Sequence, residues 1–202
     1  IVILGSQDVA HDLDILTNNK ITHILNVATG IINLFEGWFT YKTKEVYDVP
    51  GCRIIDIFDE CCDYIHTAVV SGGCVLIHCN AGVSRSASIV IAYLMRHYGM
   101  SFDEAFKFVK SKRSFIRPNA GFIDQLKEYE TKLAIILCLD LVNIIVSYFL
   151  QLQYLVKLFF DFLSLQIVLY SSCVNFEEIL NIPRSVLKWR CFHHVCVTIK
   201  YR

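Results

Sequence analysis

The chain has 202 residues with 19 acidic and 19 basic side chains, so its formal net charge at pH 7 is zero. This balance excludes a global field that would draw the protein to nucleic acid or to an anionic surface, and any anion binding must be local. The nine cysteines are an odd number at irregular spacing, and the start of the chain has no signal-peptide pattern. We therefore expect a cytoplasmic protein, in a reducing compartment, with most thiols buried.

Hydrophobic character changes sharply near Lys132. Residues 1–133 contain 28 of the 38 charged residues, whereas residues 134–170 contain only three. The sequence therefore predicts one folded domain over 1–133, followed by an apolar, helical or poorly ordered extension over 134–202. The chain begins on an apolar stretch, Ile1 to Gly5, that is typical of the end of a strand, so we expect its first strand to be truncated.

Strands and helices are predicted to alternate through the first domain. A short helix, with Ser6 as its candidate N-cap, leads into a strand at 21–27, and a second strand follows at 41–46. After a turn that contains Pro50, apolar residues recur at helical spacing and predict a helix over 54–70.

The second half of this domain continues the alternation. An apolar run at 74–77 is typical of a strand buried on both faces, and 86–98 is apolar nearly all round, as a central buried helix would be. Ser101 and Glu104 form a capping box for the next helix, and Asn119 can cap a last one. The pattern predicts an α/β fold with a central, mostly parallel sheet flanked by helices, which binds ligands at the carboxyl ends of its strands.

The loop after the strand at 74–77 has the features of an anion site. From His78 to Ser86 the sequence reads HCNAGVSRS, so five residues separate Cys79 from Arg85. A five-residue loop that closes onto a helix N-terminus can turn its N–H groups inward as an anion nest, and Gly82 permits the unusual backbone angles that such a turn needs. The residues predicted to bind a phosphoryl group are Asn80, Ala81, Gly82, Val83, Ser84 and Arg85.

The side chains that border this loop predict nucleophilic chemistry. The nest and the helix dipole would stabilise the thiolate of Cys79, whose free pKa is near ~8.5, and make it a nucleophile. The planar fork of Arg85 can grip two phosphoryl oxygens, and the hydroxyl of Ser86 can hydrogen-bond the sulfur when the thiolate leaves. The alternative is a structural buried cysteine beside a solvent-facing arginine, which the strand-loop-helix placement disfavours.

The segment from His78 to Ser86 resembles the signature of the protein tyrosine phosphatase superfamily. The segments that resemble the atypical dual-specificity phosphatases in particular are 4–8, 11–14, 22–27, 87–95 and 117–126. The resemblance covers residues 1 to about 133 and implies the cysteine phosphatase fold, of the phosphotyrosine protein phosphatase II-like type. It also implies hydrolysis of phosphotyrosine and phosphoserine or phosphothreonine in proteins through a phosphocysteine, without a metal or another cofactor.

The resemblance assigns the general acid to Asp48, on the loop after the strand that precedes the long helix. A positioned acid of this kind typically contributes ~10² to 10⁴ in rate. Asp56 and Asp59 fall within the helical pattern and are weaker candidates, and without the resemblance Asp48 could equally be a turn-forming residue before Val-Pro. Gly51 and Cys52 stand where an acidic and a small polar residue are expected, which raises the question of how rigid this loop is.

Two further residues receive supporting roles from the resemblance. Asn119 would tie its side chain to the phosphate loop, a role that is compatible with a helix N-cap. His78 would be a buried support that tunes the thiolate through hydrogen bonds to the loop backbone, rather than a proton carrier.

The substrate is expected to be a phosphoprotein. Residues 80–84 contain no Lys or Arg, whereas a phosphoinositide headgroup would call for extra positive charge there. The connection between the first two strands is short, which favours the shallow cleft of a dual-specificity enzyme. A kinase of a stress-signalling cascade is the expectation at the level of the family.

Two other function classes are open. A binding module would capture phosphoproteins without turnover, and it would be favoured by loss of Cys79, Arg85 or Asp48, all of which are present. A rhodanese-like sulfur carrier or an arsenate reductase also uses a loop cysteine, but the resemblance extends over the flanking helices and disfavours this class.

The extension over 134–202 has three interpretations. Its polar residues Asp140, Asn143, Ser147, Gln151, Lys157, Asp161 and Ser164 form one stripe on an otherwise apolar helix. A helix that lies on a membrane surface or binds a partner is favoured over a membrane span, since Asp costs ~2.5 to 3.5 kcal/mol in mid-membrane. Translated non-coding sequence after a splice error is a third interpretation, and we favour it slightly. The pattern from Cys191 to Cys196 lacks the spacing of common zinc sites and receives no ligand role.

Overall fold

Four parallel strands form the central sheet, in a computed structural model that describes residues 1–180, with side chains described as far as Gln166. The strands are β1 (Val2–Gly5), β2 (His23–Asn26), β3 (Thr40–Thr43) and β4 (Val75–His78). Their order is β1-β4-β2-β3, and each neighbouring pair is parallel. The predicted parallel sheet is confirmed.

Helices follow β1, β3 and β4, as predicted, whereas residues 27–39 join β2 to β3 without a helix. They are α1 (Gln7–Ala10), α2 (Leu13–Asn18), α3 (Phe58–Val70), α4 (Arg85–Tyr98), α5 (Phe102–Lys112) and α6 (Ala120–Leu180), and a 3-10 turn (Ile54–Ile57) leads into α3. The capping box of α5 is present, since Glu104 N–H donates to the Ser101 hydroxyl and the Glu104 carboxylate accepts from Ser101 N–H.

The first helical segment differs from its prediction. It is two helices instead of one, because Asp12 has extended backbone angles and its carboxylate accepts a 2.9 Å hydrogen bond from Ile15 N–H, which starts a new helix. Ser6 precedes α1 but makes no capping hydrogen bond with its side chain. The true side-chain cap in this segment is therefore Asp12.

Both faces of β4 are covered, so the strand is buried along its whole length. Successive side chains point to opposite faces of a sheet. Val75 and Ile77 accordingly enter the larger core, which α3 to α6 also contribute to, whereas Leu76 enters a smaller core with Leu16 of α2. This packing fixes the carboxyl end of β4, where Cys79 lies, between two layers.

Helix α4 is the central helix of the larger core and positions the end of the loop. Ten of its 14 residues are buried, and it contacts β4, α3 and α5. It ends at Gly99, whose φ of 66° is the left-handed angle that glycine adopts most easily. The predicted buried helix is thus confirmed, and it begins at Arg85.

The weaker candidates for the acid are engaged elsewhere. Asp56 forms a bidentate pair with Arg53 on the surface. Asp59 pairs with Arg96 and accepts a 2.7 Å hydrogen bond from the Tyr129 hydroxyl. Since Arg96 lies in the last turn of α4, about 16 Å along the helix from its start, Asp59 stabilises helix packing at the other end of α4.

The chain divides into one unit from Ile1 to Leu139 and a second that begins at Asp140. Between Asp140 and Gln166 every described side chain except Leu163 is exposed. The segment Ala120–Gln166 of α6 contains an 18-residue window of mean hydropathy 2.4, which is long and apolar enough to cross a membrane by length and composition. The predicted helical character of the extension is confirmed as far as Leu180, and the pattern at 191–196 lies outside the described residues.

Candidate active site

Every carbonyl of the phosphate loop, residues 80–84, accepts a hydrogen bond from outside the loop. The donors are Gln7 N–H to Asn80 O (2.8 Å), Arg113 Nη2 to Ala81 O (3.3 Å), Arg113 Nε to Gly82 O (3.0 Å), Arg117 N–H to Val83 O (2.8 Å) and the Ser88 hydroxyl to Ser84 O (2.9 Å). In a planar trans peptide the N–H points opposite to the carbonyl. The N–H groups of residues 81–85 therefore face the interior of the loop, which is the arrangement of an anion nest.

Gly82 is required where the loop passes closest to its neighbours. Its φ is 68°, and a Cβ at this position would overlap Gly5 O and the guanidinium of Arg113. The glycine thus allows β1 and α5 to close on the loop from two sides.

Cys79 lies at the start of the loop and is 2% exposed, with Sγ 3.2 Å from the hydroxyl of Ser86. Burial disfavours its thiolate, but the Ser86 hydroxyl, the N–H groups of Ser86 and Gly82 and the charge of Arg85 outweigh burial and hold the pKa of Cys79 below the ordinary value of a thiol. By contrast, burial raises the pKa of Cys61 to about 12. Cys79 is therefore placed for thiolate chemistry.

Arg85 is 8% exposed and lies beside the loop that it terminates. Its Nη1 donates to Val46 O at 3.0 Å and its Nη2 donates to the side-chain oxygen of Asn80 at 2.6 Å. Its Nε is buried and has no hydrogen-bond acceptor among the described residues; Oδ2 of Asp48 is 3.6 Å away. Contacts with the described residues engage two of the five N–H groups, so a planar pair of donors is left for an oxyanion.

Asp48 is held next to the end of the loop. Its Oδ1 accepts hydrogen bonds from the Ser84 hydroxyl at 2.7 Å and from the side-chain amide of Asn119 at 2.9 Å. These two donors fix one carboxylate oxygen and leave Oδ2 directed to Arg85. The structure thus brings the predicted acid together with the predicted loop and arginine.

Asn119 acts differently from its prediction. Its side-chain oxygen accepts from Phe122 N–H at 3.0 Å, which is the predicted N-cap of α6, and its amide is used by Asp48. The loop is reached by the backbone N–H of Asn119 instead, which donates to the Ser84 hydroxyl at 3.2 Å. Within the described residues this side chain forms no hydrogen bond with residues 80–84, and its amide is linked to the loop through Asp48, which Ser84 also binds.

The loop that carries Asp48 is fastened to α6, which answers the question raised by Gly51 and Cys52. Gln125 donates to Cys52 O at 2.8 Å and accepts from Ile55 N–H at 3.0 Å. Pro50 lies so close to Gly121 that a Cβ there would overlap the proline carbonyl. The loop that carries Asp48 is therefore held rigid by contacts with α6, and its rigidity does not depend on the side chains at Gly51 and Cys52.

His78 is buried behind the nucleophile. Its Nδ1 lies 3.3 Å from Cys79 O, and burial lowers the pKa of His78 to about 4 despite that hydrogen bond. The imidazole is therefore neutral at pH 7, as expected of a support.

Two residues of the site have no signal in the sequence. Arg113 lies in no segment that the sequence analysis singles out, and Gln125 lies in the segment 117–126 without an assigned role; each acts on a backbone carbonyl far away along the chain. Only the tertiary fold brings them to the site.

Comparison with known proteins identifies the family. The model of the dual specificity phosphatase catalytic domain matches residues 2–132. The chain belongs to this family. Dual specificity protein phosphatase 19 of Mus musculus is 50% identical over 129 residues, which cover 64% of this chain and 59% of the mouse protein. The dual-specificity family and the cysteine phosphatase fold predicted from the sequence are thus confirmed.

Solved structures of this family have the same fold. The crystal structure of human DUSP28 matches with a TM-score of 0.64 at 34% identity, over 66% of this chain and 94% of that chain. The human tyrosine phosphatase-like serine/threonine/tyrosine-interacting protein matches with a TM-score of 0.61 at 39% identity, over 64% and 91%. The match to the mouse phosphatase spans 59% of that relative's length.

We expect Ser86→Ala to raise the pKa of Cys79, because it removes a hydrogen-bond donor to the thiolate. The measurement is the rate of iodoacetamide alkylation against pH, followed by mass spectrometry on the peptide that contains Cys79. The unaltered chain should reach half-maximal rate below the ordinary pKa of a thiol, and Ser86→Ala at a higher pH. Ser111→Ala removes a hydroxyl from another helix and is the control; equal midpoints in all three proteins would contradict the role of Ser86.

We expect Arg113→Gln to weaken the affinity of the loop for tungstate by about 30-fold, since one side chain fixes two loop carbonyls and two such bonds together contribute about 2 kcal/mol. Titration calorimetry measures this affinity. Lys112→Gln removes the neighbouring positive charge without a loop contact and is the matched control. Equal weakening by both substitutions would show that loss of positive charge, and not loss of the two hydrogen bonds to the loop carbonyls, lowers the affinity for tungstate.

Proposed function

We propose that this protein hydrolyses phosphotyrosine and phosphoserine or phosphothreonine residues in other proteins through a phosphocysteine intermediate. One observation carries the proposal: the buried Cys79 of lowered pKa and the buried Arg85 with an unmatched Nε border the same loop of inward N–H groups. A thiolate nucleophile, a bidentate cation and a preorganised oxyanion site are the parts that phosphoryl transfer to sulfur requires. Membership of the dual specificity phosphatase family supports the same activity.

The first half-reaction transfers the phosphoryl group to sulfur. The Cys79 thiolate attacks phosphorus, the bond from phosphorus to the leaving oxygen breaks, and Asp48 in its acid form gives that oxygen a proton. Because Oδ1 of Asp48 accepts from Ser84 and Asn119, we assign the transferred proton to Oδ2. Arg85 turns its free donors from Asp48 to the phosphoryl oxygens and stabilises their charge.

The second half-reaction releases phosphate. Water attacks the phosphorus of phosphocysteine, the Asp48 carboxylate takes the proton of that water, and the bond from phosphorus to sulfur breaks. The departing thiolate is stabilised by the hydroxyl of Ser86, which lies 3.2 Å from Sγ. The free enzyme and inorganic phosphate result.

The binding-module alternative shares the loop but lacks turnover. It is not favoured, because Cys79, Arg85 and Asp48 are all present and lie in one site.

We also propose that the protein is cytoplasmic, in agreement with the free thiols of Cys52, Cys61 and Cys62. We further propose a kinase of a stress-signalling cascade as a substrate.

We expect the chain to turn over para-nitrophenyl phosphate in the presence of EDTA, with Cys79→Ser abolishing turnover and Asp48→Ala lowering kcat by about 10²-fold, as loss of a general acid does. Steady-state release of nitrophenolate is the measurement. Asp56→Ala, which removes an exposed carboxylate of an ion pair, is the control and should retain the rate. Absence of turnover in a folded chain that binds vanadate would replace hydrolysis by the binding-module function.

We further propose that the extension lies on a membrane surface. Large apolar side chains are exposed from Ile135 to Leu165, and a helix that is apolar over most of its circumference needs an apolar environment. The polar stripe from Asp140 to Ser164 would face water while the opposite side enters the lipid.

We expect the chain to float with neutral lipid vesicles in a density gradient, and the double substitution Ile145→Lys and Leu152→Lys to reduce the bound fraction. Both residues lie opposite the polar stripe at 100° per residue, so lysine there would carry charge into the lipid. Ser147→Lys places one charge within the stripe and is the control. Equal loss by both variants, or no flotation of the unaltered chain, would contradict an orientation set by the stripe.

A further inference from the structure

Two histidines on neighbouring helices stack face to face. The rings of His66 on α3 and His97 on α4 have centroids 4.1 Å apart and planes inclined by only 6°. The buried ring of Tyr93 lies against His97 on the other helix, with centroids 5.1 Å apart. His97 is about 18 Å along α4 from Arg85, so the stack is remote from the phosphate loop. The phosphoryl transfer proposed for Cys79 uses neither ring.

Each ring of the stack has a nitrogen that favours the neutral form. Nδ1 of His66 and Nε2 of His97 are both buried, and neither has a hydrogen-bond partner within the described residues. A neutral imidazole can leave the lone pair of one nitrogen unbound, whereas an imidazolium carries an N–H donor on both nitrogens. Protonation of either ring would therefore place a donor without an acceptor at a buried position, which destabilises the folded state.

The charges around the stack act in the same direction. Burial lowers the pKa of His97, and so do the second imidazole and the guanidinium of Arg96. Arg96 is held in place by ion pairs with Asp59 and Asp63 of α3, so its charge is a permanent part of the surroundings. Asp63, a hydrogen bond to the backbone of residue 62 and the C-terminal turn of α4 favour a cation at His97, but they are outweighed.

We propose that His66 and His97 form a pH-sensitive contact between α3 and α4, which is intact while both rings are neutral and weakens when a proton enters the stack. Helix α3 follows the loop that carries Asp48, and α4 follows the phosphate loop. The contact therefore joins the two helices that continue from the two loops of the site. The proposal does not depend on hydrolysis, because it requires only the packing of these helices.

The direction of the pKa change sets the pH range. An unfolded histidine titrates near pH ~6.5, and the pKa of His97 in the folded chain is lower. The stability that the neutral pair contributes is thus fully present above about pH 6.5 and is lost as the pH falls from there towards the pKa of folded His97. The contact is intact at neutral pH, and acidification loosens it.

The first test is an NMR titration of the full chain, labelled with ¹³C at histidine Cε1 and assigned by substitution. His97 should titrate with a midpoint below about pH 6.5, and this midpoint should rise in His66→Gln, which removes the second imidazole. His23→Gln is the matched control, because His23 also contacts α3, through the ring of Tyr64, but its Nδ1 is bound to the hydroxyl of Thr22. A midpoint of His97 that is unchanged in His66→Gln, or that rises equally in His23→Gln, overturns the pair.

The second test is urea unfolding of the full chain at pH 7.5 and at pH 5.5, followed by circular dichroism. On acidification the unfolding equilibrium constant of the unaltered chain should increase several-fold more than that of the double variant His66→Gln and His97→Gln. The limit is about 10-fold for one histidine that stays neutral one pH unit below 6.5. His23→Gln should respond to pH as the unaltered chain does.

A variant that retains the stack guards this test against a failure to fold. His97→Phe keeps a flat ring against His66 without a titrating nitrogen, so it should fold and respond less to pH than the unaltered chain. Equal pH responses in the unaltered chain, the double variant and His97→Phe overturn the pH-sensitive contact. A smaller response in His97→Phe and in the double variant, with a normal response in His23→Gln, supports it.

Discussion

The site depends on one constraint, which is that the carbonyls of residues 80–84 are all bound from outside the loop. Because the N–H of a planar trans peptide points opposite to its carbonyl, carbonyls that face outward place the N–H groups inside the loop. These N–H groups stabilise the Cys79 thiolate and oppose the effect of its burial on the pKa. No side chain in the loop supplies this effect. The anion site is built by the neighbours of the loop, among which Arg113 provides two of the bonds.

The same neighbours link the loop to the acid. The Ser84 hydroxyl accepts from Asn119 N–H and donates to Asp48, so one residue of the loop fixes the position of the carboxylate. On α6, six residues after Asn119, Gln125 holds the loop that carries Asp48 through hydrogen bonds with Cys52 and Ile55. The start of α6 therefore holds the phosphate loop and the loop that carries Asp48 in a fixed relative position. Acid catalysis needs this preorganisation.

Local chemistry explains what could be predicted from the sequence. The strand, loop and helix around Cys79 are contiguous, the capping box at Ser101 spans four residues, and a continuous apolar run identifies β4, so each is visible in a short window. The bonds of Arg113 to Gly82 and of Gln125 to Cys52 join residues 31 and 73 positions apart, and no local pattern encodes them. The break at Asp12 was missed because an Asp cap is local but competes with a continuing apolar pattern.

The two units of the chain differ in how far their apolar side chains are buried. In the first unit the apolar residues of the sheet and of α3 to α5 are buried against one another, so its stability is internal. In the second, the apolar side chains described between Leu141 and Leu165 are exposed, except that of Leu163, and gain nothing from the fold itself. The free energy of that segment is therefore set by what surrounds it, whereas the geometry of Cys79, Arg85 and Asp48 is set by contacts made within residues 1–139.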